Sequence, residues 1–169
     1  MEYFMMKTDR RLRRLPQIQI PERFFEKKKI KTESVYVKEY GGVTIEYADY
    51  LEEPLPLIAD RFHSLLQKYQ PDMAFYQVVL IEQKTGEQRP YQLISPPEIE
   101  CMCEEVQKKG KCEMYECILD ENKIGKNKIF LAKDLHKQLI VRLDVAESIL
   151  RREANGIWFE PVKIQGRRN

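Results

Sequence analysis

The chain has 169 residues, 43% of them hydrophobic and 33% charged, and its 29 basic and 27 acidic side chains leave a formal charge of +2. That balance excludes wholesale disorder, a strongly cationic nucleic-acid coat and a strongly acidic tail. The length fits one domain that buries roughly two-thirds of its unfolded surface, so folding needs neither disulfides nor a metal.

The N-terminal run MEYFMMKTDRRLRRLP places its apolar patch before its arginines, the reverse of a secretory leader. No apolar run approaches the roughly 18–20 residues of a membrane span. The expectation is a soluble cytoplasmic protein. Residues 2–7 predict a first strand. Arg10, Arg11, Arg13 and Arg14 follow, then Lys27-Lys28-Lys29, so that residues 1–40 carry 11 basic and 6 acidic side chains. A basic, extended, solvated region over about 8–33 is expected, within a single domain 1–169 that ends in a loose tail, 165–169. Basic clusters of this kind can also meet phosphates.

Residues 34–38 and 43–47 predict strands on either side of the Gly41-Gly42 turn. The charge then reverses: residues 41–60 hold Glu46, Asp49, Glu52, Glu53 and Asp60 and no lysine or arginine. This is either a solvated face balancing the basic region or an acidic surface for a basic partner. Tyr47 and Tyr50 would add aromatic anchors to such a surface. Ile58, Phe62, Leu65, Leu66 and Tyr69 form one stripe at helical spacing, predicting a helix over 59–69 that Pro71 ends. His63 lies beside that stripe, as a surface or boundary residue. Residues 73–82 and 88–95 predict a hairpin about Lys84-Thr85-Gly86, with Pro90 marking an edge or the start of its second strand.

Past Pro96-Pro97, residues 99–106 and 112–119 read as a second hairpin, with a helix at 98–107 as the competing reading. A turn about Lys109 would set Cys101 opposite Cys117. The four cysteines, Cys101, Cys103, Cys112 and Cys117, follow C-x-C-x8-C-x4-C, which lacks the paired C-x2-C knuckles of common zinc modules. Reduced, packed cysteines are the expectation, with metal or redox chemistry as alternatives and no cofactor implied. Short strands follow at 129–131 and 139–143. Asp144 and Glu147 read as a capping box opening a helix at 145–153, Asn155-Gly156 as its left-handed stop, and 157–164 as the last strand.

Two segments share one design. LIADRFHSLLQKYQPDMAFYQVV from Leu57 and LIVRLDVAESILRREANGIWFEPV from Leu139 each run Leu-Ile, amphipathic helix, then a strand with F-x-x-V, aligning Phe75 and Val78 with Phe159 and Val162. The expected fold class is α+β: a largely antiparallel sheet with two main amphipathic helices, about 59–69 and 145–153, packed on it.

No phosphate-binding glycine loop, H-E-x-x-H or G-x-S-x-G is present. Glu98, Glu100, Glu104 and Glu105 cluster, but paired carboxylates do acid–base work only in a cleft that separates their pKa values. No catalytic residue is assigned.

The segments D-Y-L at Asp49-Tyr50-Leu51, L-I-A-D-R-F at 57–62, Y-Q-L at 91–93, Ile129-Phe130, Ile140-Val141, Ala146, Ile149 and G-I-W-F-E-P-V at 156–162 carry a family pattern. On these motifs the chain, best over 49–164, resembles small bacterial proteins assigned as immunity proteins of polymorphic-toxin systems, departing at Ala59 where that pattern prefers serine. The resemblance implies binding and neutralisation of a cognate protein toxin without catalysis. Glu46, Asp49, Glu52, Glu53, Tyr47 and Tyr50 are the expected partner-binding residues, for a basic toxin. The competing readings are a nucleic-acid-binding protein using the basic N-terminal region, and an enzyme whose groups converge from distant positions.

Overall fold

A computed structural model describes residues 1–20, 32–38, 41–103 and 118–166. Of the described residues 45% lie in strands and 16% are helical, so the fold is mostly β. Its strands are β1 (Tyr3–Thr8), β2 (Gln17–Ile18), β3 (Thr32–Lys38), β4 (Tyr50–Leu51), β5 (Leu57–Ala59), β6 (Ala74–Glu82), β7 (Gln88–Ser95), β8 (Glu98–Ile99), β9 (Ile118–Asp120), β10 (Ile129–Ala132), β11 (Gln138–Arg142) and β12 (Ile157–Gln165). The α-helices among the described residues are α1 (His63–Tyr69), α2 (Glu121–Ile124) and α3 (Leu143–Leu150). The strands form two six-stranded sheets, ordered β8-β10-β11-β1-β12-β9 and β2-β3-β6-β7-β5-β4.

This corrects the expected single sheet carrying two main helices. The apolar stripe at 58–69 is divided between strand β5, a 3-10 turn over Asp60–Phe62 and a helix of only 7 residues. α3 begins at Leu143, and Asp144 does not cap it: the carboxylate pairs with Arg142 at 2.6 Å. Two-turn helices cannot cover a sheet, and it is the strands β1, β11 and β7 that bury side chains on both faces. Along β1, Tyr3 and Met5 enter one cluster while Phe4 and Met6 enter another; along β11, Ile140 faces the first and Leu139 and Val141 the second. The cluster shared by both sheets contains Met6, Ile58, Phe62, Leu66, Ile94, Leu139, Val145 and Ile149. In it α1 meets α3, where Tyr69 Oη lies 2.7 Å from Ser148 Oγ. Residues 43–47, expected as a strand, are irregular.

The recurring unit is carried by the topology. β5 and β6 both pair antiparallel with β7, so they run parallel with β7 between them, bridged by α1. β11 and β12 pair antiparallel with β1 on its two sides and are bridged by α3. Outside them, β3 lies parallel to β6 as β9 does to β12, and β4 lies antiparallel to β5 as β10 does to β11. Phe75 sits opposite Ile94 of β7 and Phe159 opposite Met6 of β1, so the aligned phenylalanines hold equivalent places. The flanking strands β2 and β8 break the equivalence. In chain order, β1-β3-β4-β5-α1-β6 matches β7-β9-β10-β11-α3-β12, and each half's first strand is the central strand of the other half's sheet.

Pro90 illustrates how the sheet accepts a strand breaker. β7 is central, yet β5 pairs with it only over Tyr91–Leu93, so at Pro90 the β5 side carries no ladder. The basic region is packed rather than solvated along its described part: Leu12, Leu15, Ile18 and Ile20 lie on the outer core of Val35, Leu57, Val78 and Leu80, while Arg10, Arg11, Arg13 and Arg14 are exposed. Lys27–Lys29 lie outside the described residues, as do most of the expected second hairpin and residues 167–169. What is described of that hairpin sets Met102 opposite Leu119, with Asp120 N donating to Cys101 O. This register puts Cys101 opposite Asp120, not opposite position 117; Cys112 and Cys117 lie outside the described residues.

Candidate functional site

The acidic stretch serves two different purposes. Its first part is spent on holding the fold. Glu46 accepts from Arg13 N and Arg14 N, both at 3.2 Å, and thereby ties down the N-terminal region. Asp49 takes Arg61 in a two-pronged pair, with Nη2 at 2.6 Å and Nε at 3.2 Å, and also accepts from Asn155 N at 2.6 Å. Arg61 in turn donates to the carbonyls of Arg152 and Glu153. Asp49 therefore joins the two halves of the chain. Tyr47 donates to Glu82 at 3.4 Å and lies under the Arg89 guanidinium. Tyr50 is buried in the shared core.

Glu52 and Glu53 are different. Their carboxylates make no hydrogen bond or ion pair among the described residues, and they stand at the mouth of a cleft of about 500 Å³. The cleft opens where the shared core reaches the surface between the two sheets. One wall is the β4–β5 connection, Glu52 to Pro56. Facing it is the end of the β10–β11 connection, His136 and Lys137, which the topology makes its equivalent in the other half. Tyr76, Leu93, Leu131 and Leu139 supply apolar wall. A volume within about 300–1,000 Å³, apolar lining and a few convergent polar groups are the ordinary features of a binding site.

The polar groups of the cleft are unequally satisfied. Lys137 pairs with Glu98 at 2.9 Å. His136 and Lys137 hold φ values of 50° and 58°, a left-handed turn built without glycine. Gln138 follows them, and its buried Oε1 accepts no hydrogen bond among the described residues. A buried acceptor in that condition costs about 1–3 kcal/mol. The cleft thus presents the two carboxylates as acceptors, with Glu98 already held by Lys137, while Gln138 Oε1 is closed off from solvent.

The sequence reading brought Glu52 and Glu53 forward but missed the opposite wall. The missing signal was in the recurring unit: if 57 aligns with 139, the residues just before each belong to equivalent connections. His63 is a boundary residue, packed on Phe75 at 4.4 Å between ring centroids. Burial pushes the Cys101 thiol up to about 12, with Asp134 adding to the shift, so it is protonated and shielded at neutral pH. Among the described residues no group of three His, Cys, Asp or Glu is placed to hold a metal ion.

Tyrosines beneath the acidic stretch make stability sensitive to alkali. Burial, assisted by the Glu82 charge, pushes Tyr47 up to about 12. Burial likewise raises Tyr50 and Tyr91, whose hydroxyl donates to Ala48 O at 2.7 Å. The same phenols ionise near 10 in the unfolded chain. Their neutral forms favour the fold fully below pH of about 10, and that contribution is lost as pH rises from there through the folded-state values. A titration followed by phenolate absorbance and circular dichroism should show part of the nine tyrosines ionising late and together with loss of structure. All nine ionising near pH of about 10 with the fold intact would contradict the burial described.

No helix among the described residues is long and apolar enough to cross a membrane. No family model matches the chain, and no curated protein shows a significant match to it.

Proposed function

We propose that the chain is an immunity-type protein that binds a cognate bacterial toxin and neutralises it, with no catalysis of its own. The observation that carries this reading is the cleft between the two sheets, with Glu52 and Glu53 at its mouth unpaired among the described residues. Unpaired surface carboxylates beside apolar wall suit recognition of a basic protein surface, where complementary charge speeds encounter and sets specificity. The motif resemblance of residues 49–164 points the same way.

The nucleic-acid reading draws on Arg10, Arg11, Arg13 and Arg14, which face outward. Two of the four are already committed, Arg11 to Asp9 at 2.6 Å and Arg14 to Glu46 at 3.6 Å. Their charge toward a phosphate backbone is reduced accordingly, and a partner of protein is favoured.

The test is affinity capture from the native host with the tagged chain, followed by co-expression of whatever is recovered. The expected result is one large secreted-type protein with a small C-terminal domain that arrests growth alone and not beside this chain. Recovery of nucleic acid, or of a protein whose C-terminal domain is harmless, would overturn the proposal.

A further inference from the structure

Resting on the partner-binding reading above, we infer that the inter-sheet cleft is the receptor for a single basic side chain, arginine or lysine, that the partner protein presents between aliphatic residues. Three observations specify such an occupant. The first is charge: with Glu98 held by Lys137, the carboxylates of Glu52 and Glu53 leave the mouth negative. The second is hydrogen bonding. The Glu52 and Glu53 carboxylates offer acceptors only, and a guanidinium or ammonium group brings donors only. An anionic ligand would meet like charge at Glu52 and Glu53. The third is the wall. Tyr76, Leu93, Leu131 and Leu139 give apolar surface for an aliphatic stem and its neighbours, an arrangement in which long basic side chains bury their methylenes and keep the charged head at the rim. The space, about 500 Å³, accommodates more than one side chain, which is why the occupant is a segment of chain and not a lone cation.

The geometry also explains why the site sits at this place. The connections β4–β5 and β10–β11 are equivalent, but one carries Glu52 and Glu53 and the other Lys133, Asp134, His136 and Lys137. A seam between equivalent halves has thereby acquired polarity, with its acceptor-rich lip on the β4–β5 side.

The inference is tested on the whole chain, isotope-labelled, by titration with acetyl-Leu-Arg-Leu-amide, its Glu-centred counterpart and butylguanidinium, following amide resonances. The expected result is saturable shifts at 52–56, 93–95, 131 and 136–139 with the arginine peptide, weakening with salt. The paired substitution Glu52→Gln and Glu53→Gln should lower its affinity roughly tenfold while leaving circular dichroism unchanged, because neither carboxylate holds the fold. Shifts mapping elsewhere, equal binding of the Glu-centred peptide, unchanged affinity in the double variant, or tighter binding of butylguanidinium than of the peptide would each overturn it. A toxin domain that binds the double variant as tightly as the parent overturns the cleft assignment and leaves the immunity reading standing. Peptide binding with no toxin recovered does the reverse.

Discussion

Gly156→Ala is expected to destabilise the chain by about 3 kcal/mol or more, lowering the melting temperature by roughly 6–12 °C for a protein of this size. Gly156 follows α3 with φ of 71°, where any Cβ costs about 1 kcal/mol or more. The larger part comes from packing. A Cβ there would lie 2.6 Å from Ala48 Cβ, 2.6 Å from Leu12 Cδ1 and 3.0 Å from Ala48 Cα. Leu12 can rotate away, but the backbone at Ala48 cannot. Tyr91 Oη holds Ala48 O at 2.7 Å, and Asp49 N donates to Asn155 O at 2.8 Å while Asn155 N returns a bond to the Asp49 carboxylate. Asp9 N also donates to Gly156 O itself. Three distant parts of the chain thus meet on one missing side chain. Gly86→Ala separates the two contributions: Gly86 has the same φ, 71°, with nothing within 4 Å of the added carbon. It should cost about 1 kcal/mol, the backbone share alone. Equal melting temperatures for the two variants would show that the close approach at Ala48 is not what the glycine serves.

That glycine also marks where sequence reading succeeded and where it stopped. Asn155-Gly156 reads as a left-handed stop and Gly156 does take a positive φ, but α3 ends at Leu150 and Glu153 is the first left-handed residue after it; the contact of Gly156 with Ala48 is a tertiary fact with no local trace. The β6–β7 hairpin was readable because long β-branched runs flank a turn containing a glycine. β4, β8 and β9 are two or three residues long, too short for any period to declare itself, so the second sheet was not counted. In the acidic stretch, spacing could not say which carboxylates face inward. Asp49 lies between buried Ala48 and buried Tyr50 and is drawn into the seam, whereas Glu52 and Glu53 follow β4 and stay in its outgoing connection. The recurring unit held the most information about topology, since it paired Phe75 with Phe159 before either strand had a place. What it withheld is which central strand joins which unit: the apolar residues of β1 and β7 suit either sheet.

That exchange of central strands sets the second expectation. Met6→Asp should destabilise the chain by about 4 kcal/mol or more, and Ile94→Asp by a similar amount, whereas Met1→Asp should stay within about 0.5 kcal/mol. Met6 is 1% exposed in β1 between β11 and β12, Ile94 is 2% exposed in β7, and Met1 is 68% exposed. Met6 faces Phe159 and Ile94 faces Phe75, the equivalent places of the two sheets, and both side chains enter the one core shared by α1 and α3. A carboxylate there would be buried with no partner. The consequences should spread beyond the sheet that is struck. Without β1, β11 and β12 each lose a ladder partner, and the first sheet divides into β8-β10-β11 and β12-β9, exposing paired edges of the kind that aggregate. β1 belongs in sequence to the half whose β5-α1-β6 unit forms the other sheet, so the first sheet is complete only when the chain has run from β1 to β12, and the second, built from β2 to β7, packs on it through the shared core of Met6, Ile58, Ile94 and Leu139. Chemical denaturation of the parent should therefore show one transition by every probe, and both aspartate variants should shift that same transition. Two separable transitions, with Met6→Asp moving one and Ile94→Asp the other, would mean that the sheets fold independently and that the exchanged strands do not couple them.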